Sequence, residues 1–589
     1  MARSQLKQLA SYLAPHRRQL LLGTGALLIV NIIGVYVPWL IKESVDTLEV
    51  AQNAETLLHP VLLVLGLACL MWVIRMASRI WLFGMGRQVE FDLKQKIFNH
   101  LLTMEPAYFT ASSAGDLINR ATSDVDNIRR LLGFAVLSLI NTVFAYVLTL
   151  PLMLAIDVPL TLLTLMIYPV MFLLVFLFGD RLRTQQLEVQ QELSDLSDLI
   201  QQDVSGIALV KVYAQELNER RAFAERNVRL LDANLKLAKT RNILFPILIG
   251  LASVSLLILL WVGGRKIADG SLTIGDFIAL LLYVERLVFP TALLGFTITA
   301  YQRGQVSIDR VEAILSVRSQ IHDRPGVISL PPERVRGRIE ARDLTFYYPG
   351  NDYPALDRVN FTIEAGETVA IVGPIGSGKS TLANALPRLL NIAPQQLFLD
   401  GQDITTLRIH DLRGAIAYVP QDSFLFSTVM RNNIRYGEPD ADQGAVEIAA
   451  KQSRIHDEVL TFPKGYDTLV GERGITLSGG QRQRTALGRA LLIEAPVLVL
   501  DDALSSVDNQ TATQILANLS AYGFGRGGSS QRKTVIFISH QLTAAATADR
   551  IFVMDQGRMV QSGTHASLLQ QSGLYRKLWN QQKLEEVLQ

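Results

Sequence analysis

The sequence predicts a two-part membrane protein: an all-α domain of six transmembrane helices with long cytoplasmic helical extensions, then an α/β domain built on a P-loop. Three observations carry that prediction. Apolar residues gather in six long runs before about residue 300, short β-branched runs alternate with helical segments after residue 340, and one of these runs feeds a glycine-rich loop and a helix. Composition points the same way. Of 589 residues, 49% are hydrophobic and 19% charged, against about 25% charged in an ordinary soluble domain, and the mean hydropathy is +0.25. Lys and Arg number 56 and Asp and Glu 54, so a net charge of +2 supplies no broad basic field for a nucleic-acid partner. The single cysteine, Cys69, excludes an internal disulfide and a multi-cysteine metal site, and is expected only to pack.

The expected spans are 19–41, 57–83, 132–156, 159–178, 243–264 and 274–300. Each is long enough for a helix that crosses the hydrocarbon core with roughly 20 apolar residues. Six such runs in one half of a chain are hard to bury without lipid. Spans three and four are joined by Asp157, Val158 and Pro159, which implies a hairpin. Basic residues set the orientation: Arg3, Lys7, Arg17 and Arg18 lead in, Arg87, Lys94, Arg129 and Arg130 follow span two, and Arg181, Arg183 and Lys211 follow span four. The first outer loop is acidic, with Glu43, Asp46, Glu49 and Glu55; Arg265 and Lys266 run against the trend. The majority places both termini in the cytoplasm of a multi-pass protein of the inner (plasma) membrane, with the first span retained and not cleaved as a leader. The two polar connections, about fifty residues each, have helical periodicity and extend the spans into the cytoplasm. Their turns, expected near 115–124 and 211–216, are candidate contacts with the following domain.

Pro325, Pro331 and Pro332 interrupt helix formation where hydropathy falls. The expected division is therefore 1–317 transmembrane domain, 318–338 linker and 339–589 nucleotide-binding domain. Apolar runs at 368–372, 416–419, 497–500 and 534–538 alternate with helical segments and imply a parallel sheet.

Nucleotide chemistry enters with Gly373-Pro374-Ile375-Gly376-Ser377-Gly378-Lys379-Ser380-Thr381, a P-loop in its strand–loop–helix setting. Its glycines let backbone N–H groups face phosphate oxygens, and the helix N-terminus adds positive potential. Lys379 is expected on the β- and γ-phosphates and Ser380 on Mg²⁺. Val497–Leu500 then delivers Asp501 and Asp502 to the C-terminal edge of a buried strand, with Asp501 expected to hold the Mg²⁺ shell.

Leu477-Ser478-Gly479-Gly480-Gln481, ahead of a basic helix, completes the pattern. With it the chain resembles an ATP-binding-cassette (ABC) exporter half-transporter of the type IV, or B-family, class over essentially its whole length. The resemblance implies further roles. Tyr348 would stack on adenine, while Phe346 and Tyr347 beside it are expected to be strand residues. Gln421 would be the Q-loop glutamine that senses Mg²⁺ and the γ-phosphate. Gly471-Glu472-Arg473-Gly474 resembles the exporter X-loop, Ser505 to Asp508 the D-loop, and His540 the switch histidine. It also implies that two cassettes sandwich ATP, each P-loop facing the other chain's Ser478, Gly479 and Gly480.

One residue departs from the family pattern: Asp502 stands where a general-base Glu is usual. A missing methylene withdraws the carboxylate by roughly 1.5 Å, and misplacement of about 1 Å can cost a hundredfold in rate. The reading is a degenerate P-loop site beside an intact signature, which resembles bacterial heterodimeric multidrug-resistance-like exporters. The expected partner is a different half-transporter with Glu at that position; a homodimer with Asp502 working through a second water is the alternative. The expected function is ATP-driven export of amphipathic, drug-like molecules. A lipid flippase or peptide exporter on the same frame, and an ATP-binding regulatory subunit, are the other readings. Glu285 and Arg286 lie about eleven residues from the outer end of span six, about 16 Å deep. They either mark a substrate path or form an intramembrane pair.

Overall fold

The computed structural model describes residues 2–51, 58–471, 474–507, 509–521, 523–524 and 531–588. Glu55, Leu57, Glu472, Arg473 and Asp508 lie outside the described residues. The chain divides into two units, Met1–Leu102 with Ser112–Val317 and Thr103–Ala111 with Arg318–Gln589.

Among the described residues, six helices in the first unit are long and apolar enough to cross a membrane: Gln8–Leu48, Leu58–Leu101, Ala114–Ile156, Val158–Ser205, Glu216–Ala268 and Ile274–Ser316. Each covers the described part of an expected span and runs past at least one end of it. At about 1.5 Å per residue, the 48 residues of the fourth make a rod of roughly 70 Å, over twice the hydrocarbon thickness. The polar connections are thus helix continuations. Asp157 makes the turn between the third and fourth helices: its carboxylate caps Leu160 N–H at 2.8 Å, with Pro159 in the first turn. Lys266 pairs with that same carboxylate, which accounts for a basic residue where the charge trend expects none.

The first extension turns earlier than expected. Residues 115–124 are helical, and the break falls at Leu102–Ser113 around a short helix, Pro106–Ala111. Pro106 has no N–H to continue the preceding helix, and Ser113 caps the next one through Asp116 N–H. Gly115 suggested the turn, yet it sits inside the first helical turn. In the second extension the chain leaves helical geometry at Tyr213–Gln215, with Ala214 at φ 51°.

The sixth helix organises the bundle. Tyr283, Val284 and Leu287 join Val35, Met153, Tyr168 and Leu259 in one buried cluster, while Ile308 and Val311 join Ile97, Ile128 and Leu131 in another. The buried phenols keep partners, Tyr283 donating to Val35 O at 2.8 Å and Tyr168 to Val284 O at 2.6 Å.

Among the described residues, the second unit has twelve strands: β1 (Ile339–Phe346), β2 (Leu356–Ile363), β3 (Thr368–Val372), β4 (Leu397–Leu399), β5 (Gln402–Asp403), β6 (Ile416–Val419), β7 (Val497–Asp501), β8 (Gly523–Phe524), β9 (Gln531–Arg532), β10 (Thr534–Ile538), β11 (Arg550–Asp555) and β12 (Arg558–Gly563). One sheet runs β12-β11-β3-β10-β7-β6, with only β12 antiparallel to its neighbour. A second, antiparallel sheet runs β2-β1-β4-β5, and β8 pairs with β9. β3, β7 and β10 are buried at every position, as unbroken apolar runs in a two-sided parallel sheet must be. Val369, Ile371, Val499 and Ile536 face one core while Ala370, Val372, Leu498 and Phe537 face the other.

Candidate nucleotide site

Strand order assembles the site. In the sequence β3, β6, β7 and β10 lie far apart, yet β3-β10-β7-β6 are neighbours. Their C-terminal ends deliver, side by side, the loop Gly373–Gly378, Ser539 and His540, the Asp501–Asp502 pair, and Gln421. Ligands of open α/β sheets bind at this edge.

The loop is shaped by what cannot fit. A Cβ on Gly373 (φ 154°) would lie 2.1 Å from Met554 O, and one on Gly378 (φ 95°) 2.5 Å from Ala355 O, so both positions exclude a side chain. Pro374, Ile375, Gly376 and Ser377 complete the turn into the helix Lys379–Ala385, which carries Ser380 and Thr381. Lys379 Nζ folds back along the loop, donating to Gly373 O at 2.9 Å and Pro374 O at 2.7 Å. Burial pulls its pKa below the ordinary lysine value against the pull of Asp502 and Asp501.

Asp501 ends β7 at 2% exposure. Its Oδ1 accepts Ser380 Oγ–H at 2.9 Å and its Oδ2 accepts Tyr418 O–H at 3.4 Å. Tyr418, on β6, also donates to Asn384 at 2.9 Å. Neither Tyr418 nor Asn384 was a candidate from the sequence; a half-buried tyrosine in a strand carries no signal until the neighbouring strand is known. Burial pushes the Asp501 carboxyl above the usual range, against the hydrogen bonds from Ser380 and Tyr418. Asp502 is pushed up by burial too, opposed by His540 and its backbone N–H. Asp502 takes φ 51° and donates its own N–H to Ile538 O at 3.2 Å, which ties it to the β10 edge beside His540. That backbone region is uncommon for a residue with a Cβ.

The donor set fits Mg²⁺. Ser380 and Asp501 already bring two hard oxygens together, and Mg²⁺ takes one or two carboxylates together with phosphate oxygens in place of an all-protein cage. Tyr348 stands beside the helix Lys379–Ala385, its hydroxyl 3.3 Å from Thr381 Oγ1 and its ring edge-on to Phe346. Phe346 is the last residue of β1; Tyr347, expected in the strand, lies just past its end. A cavity of about 210 Å³ opens over the loop, lined by Gly373, Pro374, Ile375, His540 and Gln582 among others.

The signature segment is elsewhere. None of Leu477, Ser478, Gly479, Gly480 and Gln481 lines that cavity among the described residues. Ser478 and Gln481 form a reciprocal capping box at the start of the helix Gly479–Leu492, at 3.2 and 2.9 Å. A Cβ on Gly480 would stand 2.8 Å from Ser506 O, so the helix start and the Ser505–Val507 segment touch backbone to backbone. Gln483 fastens them, accepting Ser506 N–H at 2.8 Å and donating to Ser505 Oγ at 2.9 Å. Sequence reading missed Gln483, whose only signal is its place one turn into the helix. In the first unit, Arg286 Nη2 donates to Asn31 Oδ1 at 3.0 Å, and Asn31 in turn donates to Asn141, whereas Glu285, about 100° around the helix, is exposed.

Residues 20–291 match the family described as ABC transporter transmembrane region, and residues 356–505 the family described as ABC transporter. Over 589 residues the chain is 33% identical to the multidrug resistance-like ATP-binding protein MdlA of Escherichia coli K12, covering 99% of this chain and 97% of that one. It is 30% identical to an ATP-dependent lipid A-core flippase of Syntrophus aciditrophicus, covering 98% and 95%. Among solved structures, a bacterial Atm1-family ABC exporter with ATP bound superposes with a TM-score of 0.78 at 27% identity, covering 96% and 99%.

Proposed function

We propose, on the premise that this chain belongs to the ABC transporter family as a multi-pass, exporter-type ATPase of the multidrug-resistance kind, that it is one half of a heterodimer exporting amphipathic small molecules across the inner membrane. Domains 1–317 and 339–589, joined by 318–338, act as membrane domain and cassette, with both termini cytoplasmic. ATP binds at Gly373–Thr381 with its adenine on Tyr348. Lys379 carries the phosphate charge, and His540 contacts the γ-phosphate. Ser380, Gln421 and Asp501 would hold Mg²⁺, which would neutralise phosphate charge.

The observation that carries the two-chain reading is the start of the signature helix, which is capped by its own Ser478 and Gln481 and, among the described residues, makes no hydrogen bond to Gly373–Thr381. Ser478 and the leading N–H groups of its helix offer an anion site that a partner's nucleotide would complete. ATP then acts as glue between chains, and hydrolysis releases it. Asp502 supports a slow site in this chain. Its carboxylate is one methylene short of where a Glu would reach, so the partner supplies the faster base and this chain supplies an intact signature to it.

A second reading is favoured by the flippase relative: translocation of a lipid or lipid-linked molecule by the same closure. Ligand stimulation of ATPase by lipid as against drug-like amphiphiles separates the two. The heterodimer itself is tested by ATPase of the purified chain alone against the coexpressed pair. Slow turnover alone and fast turnover in the pair is expected; fast turnover alone, abolished by Asp502→Asn, would remove the heterodimer.

A further inference from the structure

The first unit contains a half-open cavity of about 610 Å³ enclosed by the third to sixth membrane helices. Its apex is apolar and tightly closed: a Cβ on Gly295 would lie 2.2 Å from Val175 Cγ1, so the fourth and sixth helices meet there without a gap. Phe134, Leu182, Leu244 and Phe296 continue the apolar wall. The mouth is basic. Five arginines reach it, and among the described residues no carboxylate lines the cavity. Arg129 and Arg130 are already paired with Asp126, at 2.6 and 2.7 Å. Arg183, Arg241 and Arg303, from the fourth, fifth and sixth helices, make no hydrogen bond or ion pair among the described residues.

A general excess of arginine at the inner ends of spans explains their depth. It does not explain why three unpaired guanidinium groups from three helices converge on one pocket with a greasy apex. We propose that this cavity is a binding site for an anionic amphiphile, its acidic head held by Arg183, Arg241 and Arg303 and its apolar body inserted toward Val175 and Gly295. Guanidinium pairs favour phosphate, sulfonate and carboxylate heads through charge-assisted, forked hydrogen bonds. The inference deepens the exporter reading and rests on it: it gives the transported or regulating molecule a sign of charge. The head can belong to a membrane lipid or to a soluble organic anion.

The test uses the full-length chain in phosphatidylcholine nanodiscs, titrated calorimetrically with taurocholate and with the apolar cation tetraphenylphosphonium. Native mass spectrometry of chain purified from mixed phosphatidylglycerol and phosphatidylcholine supplies the lipid arm. Taurocholate or phosphatidylglycerol is expected to bind in preference to its counterpart. The triple change Arg183→Ala, Arg241→Ala and Arg303→Ala is expected to weaken that binding by about tenfold or more. The corresponding triple Lys variant should keep the preference for anions. Gly179→Leu, at a cavity-lining position where an added Cβ meets nothing within 4 Å, should weaken binding by filling the pocket. Nucleotide affinity in the same samples reports folding. Binding of taurocholate alone assigns a soluble anion, and of phosphatidylglycerol alone a lipid; either supports the site. Equal binding of the cation, no binding of either anion, or binding untouched by the Ala variant overturns it. ATPase of the unsubstituted coexpressed pair judges the exporter reading separately, so the two can fail independently.

Discussion

The proposed slow site turns on one methylene at Asp502. Its backbone N–H is held by Ile538 O at 3.2 Å, beside His540 at the β10 edge. Asp502→Glu should raise the steady-state ATPase of the chain's own site by up to about a hundredfold, since about 1 Å of reach is worth that much in a positioned base; phosphate release by the purified chain measures it. Asp501 makes a pH prediction. Burial raises its folded pKa above the unfolded value, so the unfolded state binds fewer protons between the two and stability falls as pH rises through that window. Asp501→Asn removes the cost of burying the charge while keeping an oxygen for Ser380. The nucleotide-free variant should melt above the parent near neutral pH, and the gap should shrink toward the ordinary carboxylate pKa of about 3.9, as read by scanning fluorimetry across pH. Of these residues, Lys379, Ser380, Asp501 and Asp502 were legible as a motif. Tyr418 and Asn384 were not, because their contribution exists only once β6 lies beside β7.

At the scale of elements, two close approaches fix how neighbouring segments pack. The helix Gly479–Leu492 meets the Ser505–Val507 segment at Gly480, with Gln483 as the clasp. Gly480→Ala forces the two apart. It should lower ATPase of the coexpressed pair by about a hundredfold while leaving ATP binding to the chain's own P-loop, measured by photolabelling, nearly unchanged. In the membrane unit, a Cβ on Gly34 would fall 2.0 Å from Arg286 Nη1. Gly34→Ala should displace Arg286 from Asn31 and lower the detergent melting temperature, as expected when a charged donor loses its buried partner at a cost of about 2 kcal/mol; Gly25→Ala, in open space, is the control. The spans themselves were readable from apolar length. The first cytoplasmic turn was misjudged because Gly115 looks like a turn residue, whereas the chain breaks after Leu101, Pro106 opens a short helix and Ser113 caps the next one.

For the whole molecule, the proposed two-chain reading turns on association driven by nucleotide. Lys379→Ala should abolish ATP-dependent pairing contributed by this chain's site and reduce transport by the coexpressed pair several-fold, measured by vesicle uptake alongside light scattering. Transport left intact would favour the regulatory-subunit reading instead.

Periodicity, apolar run length and the contiguous loop from Gly373 to Thr381 were enough for the sequence to determine two domains, six spans and a phosphate-binding strand–loop–helix, because each depends on residues close together along the chain. Only tertiary structure decided that β3, β10, β7 and β6 stand side by side, that Gln483 joins the signature helix to the segment after Asp502, and that Arg183, Arg241 and Arg303 share one pocket. Those are meetings between distant residues, set by strand order and helix packing, and no local pattern encodes them.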